Sequence, residues 1–364
     1  MIEPPHNAAE LFWHGSPRSD SLGQANGLDA MTIPNDPLKR WWMEIGRENP
    51  LLVEQLRPTL LAFMAFGRGR EASLAGSGFI IAGSPDSLLA ITAKHVLTEG
   101  VGRVQAPWPR HAASALFVNS GAPALTLDPQ KLKIVWMGSQ LQKMLNVGHV
   151  GYNDTLDSAC CVITPQDDEA LGFLPTTVPL DTAVPSVGAT VHMVSLDGLT
   201  VDEHVPPTDI TGKGQTLEIT RRVSIRIGVV TGVYPDGLRH YRWPCFTTSI
   251  PAEPGMSGGF VMLPRDGEPI AACGIVCADS SEDDARSSFV RCGESIIACA
   301  WPALGLRVPD SIPSLPTTPT MTLYEMMQTG RMDKAIGGIH RIEVIEREHG
   351  DCDIRVRADF RATD

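Results

Sequence analysis

Arg221-Arg222-Val223-Ser224-Ile225-Arg226-Ile227 alternates cleanly. Successive side chains of an extended strand point to opposite faces, so Val223, Ile225 and Ile227 share one face. The stretch lies inside a longer strand-like run, Thr216–Tyr234. Outward from it come Thr190–Leu196 on one side and Tyr241–Ser249, Gly259–Leu263 and Ile270–Ala278 on the other. A proline-rich passage near Pro165–Pro185 separates this set from an earlier one. The earlier set is Thr59–Phe66, Gly78–Ala82, Leu88–Thr92, Leu116–Asn119, Leu132–Met137 and Ala159–Thr164. Gly, Pro, Ser and Asp bound these runs, as expected of barrels or sandwiches. No long amphipathic helix interrupts either set, which favours an all-β fold over α/β.

The flanks read differently. Residues 1–35 are polar and irregular, and Asp36-Pro37 carries the signals for a short helix through Trp41, Trp42 and Ile45. The Trp pair reads as an anchor onto a barrel, with a partner-binding surface as the alternative. A second short helix is expected over Pro50–Leu56. Gly67-Arg68-Gly69-Arg70 reads as a hairpin turn between the first two barrel strands. Beyond a linker at 309–319, a short helix (Thr322–Gly330) and a hairpin (His340–Arg347 with Cys352–Asp359) are expected. The chain thus divides into an N-terminal extension (1–56), a first barrel (57–175), a second barrel (176–308) and a C-terminal extension (309–364).

Composition excludes several classes. The 364 residues carry 30 Lys+Arg against 42 Asp+Glu, a net charge of −12, which argues against a general nucleic-acid binder, since that needs a basic face for the phosphates, and no nucleic-acid partner is expected. Hydrophobic residues make up 43%, enough for a large core. No leader and no apolar run of membrane-spanning length is visible, so no membrane partner and a cytoplasmic location are expected. The eight cysteines fall mostly in apolar strands and form no C-x-x-C pair. Structural zinc, any other metal and a disulfide framework are therefore not expected. Thr211-Gly212-Lys213-Gly214-Gln215-Thr216 lacks the spacing of a phosphate loop.

Three segments carry the chemistry. In Ile91-Thr92-Ala93-Lys94-His95-Val96-Leu97 an apolar strand ends in a histidine. In Asp157-Ser158-Ala159-Cys160-Cys161-Val162-Ile163 an acid opens an apolar strand. In Glu253-Pro254-Gly255-Met256-Ser257-Gly258-Gly259 a serine sits in a glycine-rich turn. A serine hydroxyl needs a base to take its proton, and histidine titrates near neutral pH. A carboxylate holds the imidazole in one tautomer and stabilises its cation. The glycines allow the N–H groups of Gly255 and Ser257 to converge on a developing oxyanion.

These segments resemble the motifs of trypsin-like (chymotrypsin-fold) serine peptidases. Thr92-Ala93-Lys94-His95 is similar to their T-A-A-H motif, Asp157-Ser158-Ala159 to their D-x-A segment, and Gly255-Met256-Ser257-Gly258-Gly259 to G-x-S-G-G. The order His, Asp, Ser is that of this family. The resemblance covers about residues 57–305. It implies two six-stranded antiparallel β-barrels and a hydrolase without a cofactor. His95 would be the base, Asp157 its orienting acid and Ser257 the nucleophile, with Gly255 and Ser257 as the oxyanion hole. It further implies substrate contacts at Pro251, Gly274, Val276, Cys277 and Asp279. Asp154 is the rival for the acid.

Departures from the family pattern are specific. Lys94 replaces a small residue, and Cys277 stands where a serine hydroxyl usually supports the aspartate. Pro251 replaces the acidic pocket floor that selects Lys or Arg. Asp279 with Glu282, Asp283 and Asp284 offers either an acidic attraction for basic side chains or a plain solvated loop. No Ile-Val-Gly-Gly activation sequence precedes the barrel. The expected partner is a protein or peptide substrate, with a regulatory protein partner as a further expectation. Two rival readings remain: a catalytically silent binding module, and a peptidase activated by a dedicated partner.

Overall fold

A computed structural model describes residues 41–66, 72–102, 115–118, 126–127, 132–138, 141–152, 156–165, 170–204, 216–238, 241–265, 267–279, 294–310, 320–337, 339–346 and 352–356. In chain order the first half contains β1 (Trp42–Glu44), α1 (Pro50–Leu56), β2 (Leu60–Phe66), β3 (Ala72–Gly83), β4 (Leu88–Thr92) and α2 (Lys94–Gly102). Then come β5 (Ala115–Val118), β6 (Thr126–Leu127), β7 (Leu132–Met137), β8 (Gln142–Tyr152) and β9 (Ala159–Pro165). The second half contains β10 (Thr190–His204), β11 (Thr216–Tyr234), β12 (Cys245–Thr248), β13 (Phe260–Met262), β14 (Gly274–Asp279) and β15 (Ser295–Cys299).

The pairings close two antiparallel barrels. The first runs β7-β2-β3-β4-β9-β8 and closes through β8 onto β7, with β5 and β6 added beside β8. The second runs β11-β10-β13-β14-β15-β12 and closes through β12 onto β11. Six strands in each barrel match the double-barrel expectation. Closure leaves no open edge within either ring.

The apolar runs fill these barrels. Every residue of β4 is buried, and Leu60–Ala65 on β2 are buried together. Phe63, Phe79, Phe246 and Phe260 are fully enclosed, each worth about 1.5–3 kcal/mol of burial. Phe79 on β3 and Phe260 on β13 join the barrels, with ring centroids 5.3 Å apart and planes tilted by 56°.

The alternating stretch on β11 behaves in part as read. Val223 and Ile225 are buried and stand opposite Leu196 and Val194 of β10. The intervening Ser224 and Arg226 are buried too, at 0% and 2% exposure. The cover comes from β1, which pairs Trp42 with Gly228 and Glu44 with Arg226. This corrects the expected helix through Trp41, Trp42 and Ile45. The backbone there gains a ladder on β11, continued by Ile45 N–H donating to the Ile225 carbonyl at 2.8 Å. A tertiary pairing therefore overrides the local helix signal. Asp36-Pro37 lies outside the described residues.

Two strands that close the barrels were not among the runs singled out, β8 and β15. Asn146, Gly148 and His149 interrupt the apolar pattern of β8, and its register against β9 shifts between Val147 and His149. In the C-terminal region a helix α3 (Leu323–Gln328) starts on a Thr322–Glu325 capping box. Strands β18 (Ile342–Glu346) and β19 (Cys352–Val356) pair as a hairpin, preceded by a short pair, β16 (Arg307–Pro309) with β17 (Thr320–Thr322). The turn of the hairpin and Gly67–Arg70 fall outside the described residues. Among the described residues no helix is long and apolar enough to cross a membrane.

Candidate active site

His95 lies in the first turn of α2, a helix that the sequence reading missed. Strand β4 delivers the chain into it, and Val96 and Leu97 bury its apolar side. Asp157 holds His95 twice. Its Oδ1 accepts the His95 backbone N–H at 3.1 Å, and its Oδ2 lies 2.7 Å from His95 Nδ1. The first N–H groups of a helix have no partner within it, and the helix dipole favours an anion there. An ionised carboxylate offers acceptors alone, so Nδ1 carries the proton and Nε2 is the basic nitrogen. The Asp157 side chain is 9% exposed and that of His95 27%, so the acid is sheltered and the ring reachable. The rival Asp154 lies outside the described residues.

Ser257 is built from the second barrel. Met256 N–H donates to the Glu253 carbonyl at 3.0 Å, closing a turn whose third residue is Gly255 at φ 92°. Gly259 N–H donates to the Met256 carbonyl at 3.0 Å, closing a second turn with Gly258 at φ 86°. Positive φ at that position is the type II pattern and selects glycine. A Cβ on Gly258 would also lie 2.0 Å from the Ser77 carbonyl oxygen. Among the described residues, neither the Gly255 nor the Ser257 N–H has an acceptor. Two free donors two residues apart on a tight turn are what an oxyanion needs.

The Ser257 hydroxyl donates to the Cys277 carbonyl at 3.1 Å. Cys277 in turn points its thiol at the Asp157 carbonyl at 3.9 Å and at that of Ile275 at 3.5 Å. Burial first, and the Asp157 charge second, hold this thiol protonated far above the usual range. Ser257, Cys277, Asp157 and His95 thus form one continuous cluster across the barrel interface. The thiol supports the backbone of Asp157, where the family pattern has a hydroxyl acting on its carboxylate.

The other positions separate. Pro251 is half-buried, and its carbonyl accepts from Arg226 Nη1 at 2.8 Å. Gly274 faces inward, where a Cβ would meet Ile297 at 2.4 Å. Val276 is buried, with its carbonyl taking Gly258 N–H at 2.7 Å and its N–H given to Gly259 at 2.9 Å. Val276 therefore supports the serine turn with its backbone groups, while Gly274 is paired within the sheet with Val261 and Cys299. Asp279 ends β14. Glu282, Asp283 and Asp284 lie outside the described residues. Lys94 sits over the Tyr152 ring, 6.0 Å from its centroid.

Sequence reasoning missed three supports. Ser77 on β3 gives its N–H to the Ser257 carbonyl at 2.7 Å and its hydroxyl to the Gly255 carbonyl at 2.8 Å. Thr92 gives its hydroxyl to the Ser77 carbonyl at 2.6 Å. Arg226 reaches the serine loop from below. The clue to Ser77 was its setting, Gly76-Ser77-Gly78, since glycines inside a strand mark close backbone approach.

Cys160, Cys161, Cys245, Cys273, Cys277 and Cys299 are buried free thiols. Among the described residues no cluster of His, Cys, Asp or Glu is grouped to hold a metal.

No protein-family model matches the sequence, and no curated protein matches it. Solved structures do. The MamO protease domain of Magnetospirillum magneticum in its apo form is similar at 13% identity and a TM-score of 0.37, over 68% of this chain and 94% of that one. A structure of GrC is similar at 12% identity and 0.37, over 68% and 91%. Human heparin binding protein is similar at 12% and 0.36, over 68% and 88%. The double barrel itself is read from the strand pairings above.

Proposed function

We propose that the chain is a serine endopeptidase acting on a specific protein target inside the cell. The observation that carries this reading is the double grip of Asp157 on His95, by ring and by backbone, beside a serine on a double-glycine turn. In the proposed reaction His95 Nε2 takes the Ser257 proton as Oγ attacks the substrate carbonyl carbon. The N–H groups of Gly255 and Ser257 hold the oxyanion, and Asp157 stabilises the imidazolium. His95 then gives its proton to the leaving amine. Water, activated by the same ring, attacks the acyl-enzyme, releases the second product and restores Ser257. No cofactor takes part. The buried free thiols favour a reducing, cytoplasmic setting.

The test is a fluorescent fluorophosphonate, which reacts with an activated serine. Labelling of the wild type that is lost in Ser257→Ala and in His95→Ala supports the reading. Absence of wild-type labelling at any concentration of partner or substrate overturns it.

A second reading, a peptidase switched on by a partner, is favoured by one observation. The Ser257 hydroxyl donates to the Cys277 carbonyl. In that case the wild type labels slowly alone and faster with the partner. A silent binding module would bind a peptide and never label.

A further inference from the structure

Among the described residues, the most enclosed cation in the second barrel is Arg226, whose side chain is 3% exposed. A buried guanidinium is costly unless each N–H finds a partner and its charge is balanced. Here every guanidinium nitrogen has a partner and three carboxylates balance the charge, and the partners have a pattern. Nε lies 3.3 Å from Glu44 Oε2 and 3.1 Å from Ser224 Oγ. Nη2 lies 2.7 Å from Glu253 Oε1 and 3.4 Å from Asp197 Oδ2. Nη1 donates to the Pro251 carbonyl at 2.8 Å. Arg222 completes the charge cluster, with Nε 2.7 Å from Asp197 Oδ1 and Nη2 2.5 Å from Oδ2.

Pro251 and Glu253 are the approach to the oxyanion turn. The carbonyl of Glu253 closes the turn that contains Gly255, and its N–H points at Met256 Sδ at 3.2 Å. Arg226 therefore grips the loop two and four residues ahead of Gly255, where the chain has no regular structure of its own. Met256, in the heart of the loop, is fully buried and uncharged. The tie is electrostatic and comes from outside the loop.

What keeps Arg226 in place is β1. Glu44 also accepts the Ile225 N–H at 3.0 Å and the Ser224 hydroxyl at 2.7 Å, so its carboxylate is fixed. The Trp42 ring lies 5.2 Å from the guanidinium. The Trp41 carbonyl accepts from Ser249 Oγ at 2.5 Å, on the strand end that leads into the loop.

We infer that Arg226 is the positioning residue of the oxyanion loop Pro251–Ser257, and that strand β1 of the N-terminal extension, through Glu44, is the clamp that holds it to this task. The inference rests on the peptidase reading for its catalytic consequence, while the positioning itself concerns the folded loop. Arginine suits the role because its planar fork engages a carbonyl and several carboxylates at fixed angles; lysine keeps the charge and loses the fork.

The experiment uses the full chain with Arg226→Met, Arg226→Lys and Glu44→Gln. Backbone amide exchange is followed over residues 251–259 and, as an internal control, over β2, β3 and β4. Fluorophosphonate labelling of Ser257 is run as a saturation series. In Arg226→Met, exchange over 251–259 speeds by about tenfold or more with the control strands unchanged, and the limiting labelling rate falls by a similar factor at constant half-saturation. Arg226→Lys falls between, and Glu44→Gln moves the same way by less. Wild-type exchange over 251–259 in folded Arg226→Met overturns the inference. If that variant does not fold, unchanged exchange in Glu44→Gln overturns it. Loop exchange that responds while the wild type never labels removes the peptidase reading and keeps the positioning. Labelling of wild type and Arg226→Met at one rate, with wild-type loop exchange in both, removes the positioning and keeps the peptidase.

Discussion

Ser77 donates its hydroxyl proton to the Gly255 carbonyl across the barrel interface, 2.8 Å away, while its oxygen accepts the Leu196 N–H at 3.0 Å. One side chain of the first barrel thus fixes a peptide beside the Gly255 and Ser257 N–H groups of the second. Ser77→Ala leaves the Leu196 N–H and the Gly255 carbonyl without this partner. It should destabilise the fold by about 1–3 kcal/mol and lower turnover by about tenfold or more. Urea unfolding gives the first figure and fluorophosphonate labelling rates the second.

Asp157→Asn keeps the size of the side chain and removes its charge. The amide can present its N–H₂ to Nδ1, which then favours the proton on Nε2, where it blocks the base. The expected loss in labelling rate is about 10⁴-fold, as for removal of the acid in triads of this kind. Thermal unfolding of the variant should stay close to that of the wild type. A rate within tenfold of the wild type would argue that Asp157 is not the orienting acid.

Gly258→Ala is expected to be among the most damaging single-methyl changes in the chain. Its φ of 86° costs an alanine about 1–3 kcal/mol alone. The new Cβ would also press on the Ser77 carbonyl oxygen and on Thr92 Oγ1, at 2.0 and 2.3 Å. Gly267→Ala, with positive φ and open space around it, isolates the backbone cost. Differential scanning calorimetry should rank Gly258→Ala well below Gly267→Ala.

His149 makes the fold acid-sensitive. Burial on β8 lowers its pKa from 6.5 to about 4, and its Nε2 has no partner among the described residues. The unfolded chain therefore binds a proton that the native state refuses. Stability from this group is complete above pH 6.5 and is lost as pH falls toward 4, by roughly 3 kcal/mol in all. His192, lowered by burial as well, adds a loss in the same direction. A His149→Phe variant should show a shallower fall of stability between pH 6.5 and 4 than the wild type.

The buried thiols should be silent. Burial pushes the thiols of Cys160, Cys161, Cys273, Cys277 and Cys299 far above neutrality, and that of Cys245 up to about 12. A thiolate is the reactive form. Titration with a disulfide reagent should therefore leave these six unmodified in native protein and modify them on unfolding.

What the sequence revealed, and what it withheld, follows one physical line. Strand-length apolar runs and the Gly255–Gly259 turn are local signals; the runs pointed to a barrel or a sandwich, and the two six-stranded barrels followed from the resemblance. The pairing of His95 with Asp157 was legible from motif order. By contrast α2, β1 and β8 were not. The first hides behind a strand ending, the second is a strand only because β11 offers it a ladder, and the third carries a bulge at Gly148. Arg226 read as the polar side of an alternating strand. Its importance comes from Glu44, Asp197 and Glu253, brought together from distant parts of the chain.

The Ser77–Gly255 bond joins residues 178 positions apart. During synthesis His95 and Asp157 leave the ribosome with the first barrel, long before Ser257 is translated. Contacts this distant in sequence also form late in folding. Ser257 therefore meets His95 only after the second barrel has closed and docked. A nascent or truncated chain carries His95 and Asp157 with nothing to activate, so on the proposed reading peptidase activity would wait for the finished fold.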